Sequence, residues 1–409
     1  MKKLIKCGKL FRAVDESVEE NVGIIINKNI IEAVVPLNNL VNTENFEVID
    51  LLDSFVMPGL IDTHVHCTLN GEASTAEEEY SMSAAYFSLI GLPIVQADLM
   101  AGFTTIRDMG SAGFSDIALR DTINQGIHWG PRIFAGGLPL NTLGGAGDTS
   151  FQPPYQGGKA NYIRAVVCGP DEARQAARFN FKYGADHVKL LATSAVLGNS
   201  IKAGPQELTY EEMRAAVEVA EFLDKPSAAH CIGNKGLKAA IRAGVTSVEH
   251  GTFMDEEAAD MMLERGTFLV PTLLAVERIM ENINSGTIPE FQLRKAKECE
   301  KARSNTFKIA LKKGLKIAFG TDAATPYNKH GDQAHEFQLM VREGMEPAKA
   351  LISATRTAAE LLRYEDKIGT IEPGKFADII STKGNPIKDI STLEKVSFVM
   401  KDGVVYKSN

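Results

Sequence analysis

The chain holds eight histidines in 409 residues, and several stand where an apolar run stops. His64 and His66 are two apart at the end of Val56–His66. On a strand that spacing turns both imidazoles the same way, and imidazole is a ligand for zinc and other first-row metals. His230 closes Ser227-Ala228-Ala229-His230, His250 closes Val248-Glu249-His250, and Asp322 closes Phe319-Gly320-Thr321-Asp322. Lys189 lies inside the apolar run Val188-Lys189-Leu190-Leu191, where a cation is costly unless it is paired or chemically altered. Singly, each has a plainer reading. His230 or His250 would be a hydrogen-bonded core histidine, Asp322 a helix cap, Lys189 a salt-bridged lysine, and His64/His66 a chance pair. Together, metal-capable groups that recur at strand ends predict a metal centre. His128 precedes the third such strand and His187 begins the fourth, so both are read as structural. His330 and His335 follow the eighth strand, and His330 is the better candidate for contact with a substrate.

These residues need a frame that gathers strand ends. Eight apolar runs fill the middle of the chain: Val56–His66, Thr104–Met109, Arg132–Gly136, His187–Ala192, Ser227–Cys231, Ser247–Gly251, Thr267–Thr272 and Lys316–Thr321. Helical patterns separate most of them, at Ser115–Gly126, Asp171–Tyr183, Tyr210–Leu223, Lys235–Ala243, Asp255–Arg265 and Glu290–Lys313. Strands alternating with helices predict a parallel sheet covered on both faces. Eight units predict an α/β protein with a (β/α)8 TIM barrel, whose sites form at the C-terminal strand ends. An open doubly wound sheet is the alternative, but His64-Val65-His66 stands where its glycine-rich loop would be. Three further helices are expected at Gln333–Glu343, Pro347–Ser353 and Thr357–Arg363.

Both chain ends read as short strands broken by Gly, Asn and Pro. They are expected to form one composite β-sandwich domain from residues 1–57 and 372–409, with the barrel at 58–371. The Gly- and Pro-rich stretch Gly144–Lys159 is expected to wall the site.

Composition narrows the function classes. A net charge of -8 and no basic run give no footprint for nucleic acid or an anionic membrane. No apolar run is long enough for a membrane span. Lys6 and Lys9 interrupt what would be the core of an export signal, so a cytoplasmic protein is expected. Five cysteines without a CxxC pair do not form a disulfide framework. Cys67 and Cys231, near histidines of interest, are read as small buried thiols rather than ligands.

The stretch Pro58-Gly59-Leu60-Ile61-Asp62-Thr63-His64-Val65-His66 resembles the opening signature of the amidohydrolase superfamily. The resemblance runs through nearly the whole chain. It includes Gly102-Phe103-Thr104-Thr105-Ile106-Arg107-Asp108, Val248-Glu249-His250-Gly251, Gly320-Thr321-Asp322-Ala323 and Gly369-Thr370-Ile371-Glu372-Pro373-Gly374-Lys375. Within the superfamily the chain is most similar to the Xaa-Pro dipeptidase branch, near the imidazolonepropionases. The resemblance implies two divalent metal ions, zinc by default. His64, His66 and Asp322 would hold one and His230 and His250 the other. Lys189, carboxylated by CO2, would bridge them. It implies hydrolysis of an amide or peptide-like C–N bond by a metal-bridging hydroxide, with Asp322 as general base. It also implies a small-molecule substrate, of dipeptide or N-acyl amino acid type, and a homo-oligomer.

Three departures bear on the substrate. Gly144-Gly145-Ala146-Gly147-Asp148 has Ala146 where the dipeptidase branch has histidine. Cys231-Ile232-Gly233 has Ile232 in place of tyrosine or histidine, and Thr193-Ser194-Ala195 replaces Thr-Gly-Gly. Ala146, Ile232 and His330 are therefore the candidate substrate-facing residues. The alternatives are a hydrolase of a cyclic amide, carbamate or similar small molecule, a mononuclear hydrolase or deaminase (against which Lys189 counts), and a non-catalytic scaffold that would be expected to have lost ligands.

Overall fold

The computed structural model describes residues 1–40, 43–72, 82–148, 165–198 and 200–408. Its strands fall into a seven-stranded, a six-stranded and a three-stranded sheet. The chain ends build the first. Its order is Val404–Ser408, Val396–Lys401, Ile379–Thr382, Phe46–Pro58, Lys2–Phe11, Val18–Asn27, Ile30–Pro36. This is one continuous pairing order where two facing sheets were expected. Phe46–Pro58 explains it, because this long strand pairs with Lys2–Phe11 on one edge and Ile379–Thr382 on the other. Ile5, Ile24, Val56, Ile379 and Phe398, from both halves, share one apolar cluster.

The central sheets are parallel. One runs Leu60–Val65, Phe103–Asp108, Arg132–Phe134; the other runs Phe268–Val270, Ser247–His250, Ser227–Cys231, Val188–Leu191, Leu140–Thr142, Ala165–Val167. Leu60–Val65, Phe103–Asp108 and Ser227–Cys231 are buried at every residue, as strands covered on both faces should be. The expected run Val56–His66 is split at Gly59, where a Cβ would lie 2.2 Å from Thr104 Oγ1. There the chain leaves the end-domain sheet and enters the parallel one.

Lys316–Thr321 is not a continuous strand. It makes one single parallel bridge, Leu269↔Ile317, and Ala323 just beyond it makes another to Val65, so the two bridges tie the two parallel sheets together. Phe319 N–H turns instead to the Ser353 carbonyl.

Local signals place the helices. Thr209 and Glu212 form a capping box at the start of Tyr210–Phe222. Asp255 caps Glu256–Arg265, which ends at the left-handed Gly266. Glu290–Lys313 stands where periodicity predicts it. Ala84–Met100 and Leu273–Glu281 were not anticipated. The first mixes apolar residues around the whole helix and contains Pro93, so no polar stripe marks it. The second begins directly after a strand at the left-handed Thr272, without a capping side chain. Among the described residues no helix is long and apolar enough to cross a membrane.

Candidate metal centre

His64, His66, Lys189, His230, His250 and Asp322 all line one cavity of about 200 Å3. His64, His66, His230, His250 and Asp322 stand at or beside the C-terminal end of a parallel strand or bridge, and Lys189 is the second residue of Val188–Leu191. Asp322 Oδ1 lies 3.3 Å from Nε2 of both His64 and His66. One ligand atom each of His64, His250 and Asp322 falls within 4.8 Å of the others. The His230 and His250 ring centroids are 4.5 Å apart. His250, the last residue of Ser247–His250, and Asp322, beside the Ala323 bridge, take left-handed backbone, with φ of 67° and 58°. Non-glycine residues hold that conformation where their surroundings over-determine it.

The protonation states suit a metal. Burial, reinforced by Lys189, drives His250 down to about 3 and His230 well below its ordinary value, so both are neutral imidazoles with lone pairs. Burial alone would raise the Asp322 carboxyl, but His64 and His66 hold it well below the carboxylate range. His250 Nδ1 is tied to Thr272 Oγ1 at 2.7 Å. His230 Nε2 is buried without a hydrogen-bond partner among the described residues, an unusual state for such an atom unless a ligand takes its lone pair.

Beneath the centre lies a buried relay that sequence reasoning did not isolate. Glu249 Oε2 is 2.7 Å from His64 Nδ1. Its other oxygen accepts from Arg107 Nη2 at 3.0 Å and Ser247 Oγ at 2.5 Å. Arg107 also donates to the Thr63 carbonyl at 2.5 Å. Burial alone would raise the Glu249 carboxyl, but Arg107 and His64 hold it far down. With a metal bound, an ionised Glu249 would accept the Nδ1 proton of His64 and so turn Nε2 towards the ion. The available signal was a pair of opposite charges, Arg107 and Glu249, inside otherwise apolar strands.

The remaining candidates separate. Ile232 lines the cavity, together with Val196, Leu197, Pro271, Val276 and Ile279. Ala146 and His330 are not among its lining residues. Ala146 N–H binds Glu207, and His330 is held between Asp98, at 2.8 Å, and the His66 carbonyl, at 3.2 Å. His330 therefore braces the strand end that carries His66 rather than facing a substrate. His187 is buried beneath the site and His128 is exposed, both away from the cavity wall. Cys67 and Cys231 are buried, burial pushes both thiols up, and neither lines the cavity. Of Gly144–Lys159, only 144–148 fall among the described residues. A larger cavity of about 1100 Å3 lies elsewhere. Of its three arginines, Arg120 pairs with Asp186 and Arg132 with Asp378, each at 2.6 Å, and its lining contains no histidine.

A sequence model of the amidohydrolase family matches residues 55–406. The chain belongs to the amidohydrolase family. This amidohydrolase is 40% identical to a solved Xaa-Pro dipeptidase with methionine bound in the active site, over the whole of both chains, with a TM-score of 0.91. Ochratoxinase of Aspergillus niger is 28% identical over 95% of this chain and 83% of that protein. Imidazolonepropionase of Pseudomonas putida (strain GB-1) is 24% identical over 89% of this chain and 88% of that protein. The amidohydrolase thus shares the fold of its family and stands near both the dipeptidase and the imidazolonepropionase relatives.

Proposed function

We propose that this amidohydrolase is a binuclear metal-dependent hydrolase of a C–N bond, acting on a dipeptide or N-acyl amino acid. One observation carries the reading: six metal-capable side chains, separated by up to hundreds of residues, meet in one cavity whose other walls are largely apolar. The neutral His230 and His250, the ionised Asp322 and the unpartnered His230 Nε2 fit a cationic occupant. Two divalent ions, zinc by default, held by His64, His66 and Asp322, by His230 and His250, and by a carboxylated Lys189 between them, would supply a water ionised near neutrality and a Lewis acid for the scissile carbonyl. Asp322, 3.3 Å from both His64 and His66, is placed to take a proton and return it to the leaving amine. The apolar wall keeps bulk water from the reacting groups.

The same reading divides the chain into an end domain of 1–57 and 372–409 and a closed (β/α)8 barrel over 58–371. The two bridges through Ile317 and Ala323 support closure on one side. The hydrogen bond from Asp186 N–H to the Ala135 carbonyl supports it on the other. A second reading, hydrolysis of a cyclic amide, carbamate or similar small molecule in the same site, is favoured by Ile232, which presents a methyl surface to the cavity.

The test is a hydrolysis screen of metal-reconstituted protein against dipeptides, N-acyl amino acids and cyclic amides, with Asp322→Asn as control. Turnover of a dipeptide or N-acyl class that the control lacks is the expected result. Turnover of cyclic amides alone selects the second reading. Activity that persists in Asp322→Asn defeats the proposed role of Asp322.

A further inference from the structure

The apolar side of the cavity rests on a cluster of its own, Val196, Ile232, Ile279, Ile288, Ala296 and Cys299. Val196 belongs to a loop without regular structure that follows the strand carrying Lys189. The base of that loop is closed by backbone bonds, Ser194 N–H to Pro205 O at 2.8 Å and Gly204 N–H to Ser194 O at 3.0 Å. None of the described residues at its tip lies in a strand or helix.

The tip is held by helix Glu290–Lys313 instead. Lys295 is only 1% exposed. Its Nζ donates to the carbonyls of Gly198 at 2.6 Å, Ser200 at 3.0 Å and Ala195 at 3.2 Å. One turn earlier on the same face, Gln292 Nε2 donates to the Leu197 carbonyl at 2.7 Å. Two side chains therefore hold four carbonyls of one short segment. An ammonium has three protons, and here each has an acceptor. Among the described residues no carboxylate pairs with Lys295. A side chain that only filled this space would be apolar, because burying an ammonium without a counter-ion is costly. The geometry is that of a clamp that orders the loop tip.

We propose that Lys295 is a specificity-determining positioning residue. By clamping the carbonyls of Ala195, Gly198 and Ser200 it sets Val196 and Leu197 as a firm wall, and that wall selects amides with an aliphatic side chain facing Val196, Ile232 and Ile279. The inference rests on the C–N hydrolase reading. Lys295 does not itself line the cavity and bonds none of the metal-capable groups; it reaches the wall only through the backbone carbonyls it holds, Ala195 among them. Its loss therefore loosens binding of the aliphatic group equally in ground and transition states, raising KM and sparing kcat.

The experiment uses the full-length, metal-loaded protein with Lys295→Met, which keeps length in a buried position, and Gln292→Ala, which weakens the clamp without touching Lys295. Two readouts are taken: hydrogen–deuterium exchange of 194–207, and kinetics on matched leucyl and alanyl dipeptides and N-acetyl amino acids. The expected result is exchange about tenfold faster in the loop of Lys295→Met, with a smaller change in Gln292→Ala and none in Ser227–Cys231. KM for the leucyl substrate should rise about tenfold, with kcat within about twofold and the alanyl substrate little changed. Unchanged loop exchange in both variants overturns the clamp. Faster exchange with leucyl and alanyl substrates affected alike, or with kcat falling and KM constant, overturns the role in selectivity. If the wild type cleaves no amide at all, the hydrolase reading falls and takes the selectivity with it, while accelerated exchange still upholds the clamp.

Discussion

Replacing Arg107 by methionine tests the buried relay directly. Arg107 and Glu249 are both 0% exposed, and their charges meet at 3.0 Å. Methionine fills much of the space but offers no donor. Glu249 would then keep Ser247 and His64 as partners, while its countercharge is lost and the Thr63 carbonyl is left without the guanidinium. Breaking a buried pair by removing one partner costs about 3–5 kcal/mol, most of it from the stranded charge. Volume change adds little, because the swap is between long unbranched side chains. Chemical denaturation of chelator-treated protein measures the loss free of any metal contribution, in the wild type, Arg107→Met, Glu249→Gln and the double variant. The stranded charge is absent from the double variant, so it should recover at least half of the loss seen in Arg107→Met. A loss below about 1 kcal/mol, or a double variant that simply adds the two single losses, refutes the relay.

Three further outcomes follow from particular contacts. Glu249→Gln removes the charge that orients His64, so metal affinity should fall about 10- to 100-fold in a competitive chelator titration, and unchanged affinity would remove Glu249 from the orienting role. A Cβ on Gly320 would lie 2.4 Å from Val270 Cγ1 and 3.0 Å from His64 Cβ. Gly320→Ala should therefore cost about 1–3 kcal/mol in thermal or chemical unfolding, and a neutral result would show that the packing there yields easily. Glu277 supplies a pH dependence. Burial alone would raise its carboxyl, but hydrogen bonds from Arg342 and Arg303 hold it at about 2, against an ordinary 4.5. With the folded value depressed, its stabilisation is present above pH 4.5 and is lost as the pH falls towards 2. Stability curves of Glu277→Gln should be flatter than wild type across that acid window, and parallel curves would contradict the assignment.

The sequence by itself determined which metal-capable residues were candidates, and the structure brings them to one cavity. A strand is legible as an apolar run, and its end is legible as the point where the run stops. His64, His66, His230, His250 and Asp322 could therefore be placed at strand ends without coordinates, and Lys189 stood out as a cation among apolar neighbours. Helices with a polar stripe and a cap, such as Tyr210–Phe222 and Glu290–Lys313, were legible for the same reason. Ala84–Met100 was not, because it is apolar on several sides and its pattern has no period to read. Tertiary structure alone decided which charges meet. Glu249 reaches His64 across 185 positions and Arg107 across 142. His330 turned to Asp98, 232 positions away, rather than to the cavity. Lys295 found carbonyls about a hundred positions earlier in the chain. Periodicity records which face of an element is buried, since burial acts residue by residue on the local pattern. It does not record which buried polar group faces which, because that depends on how distant elements are stacked and turned. The metal-capable residues were therefore visible early, and the groups that hold them in place were not.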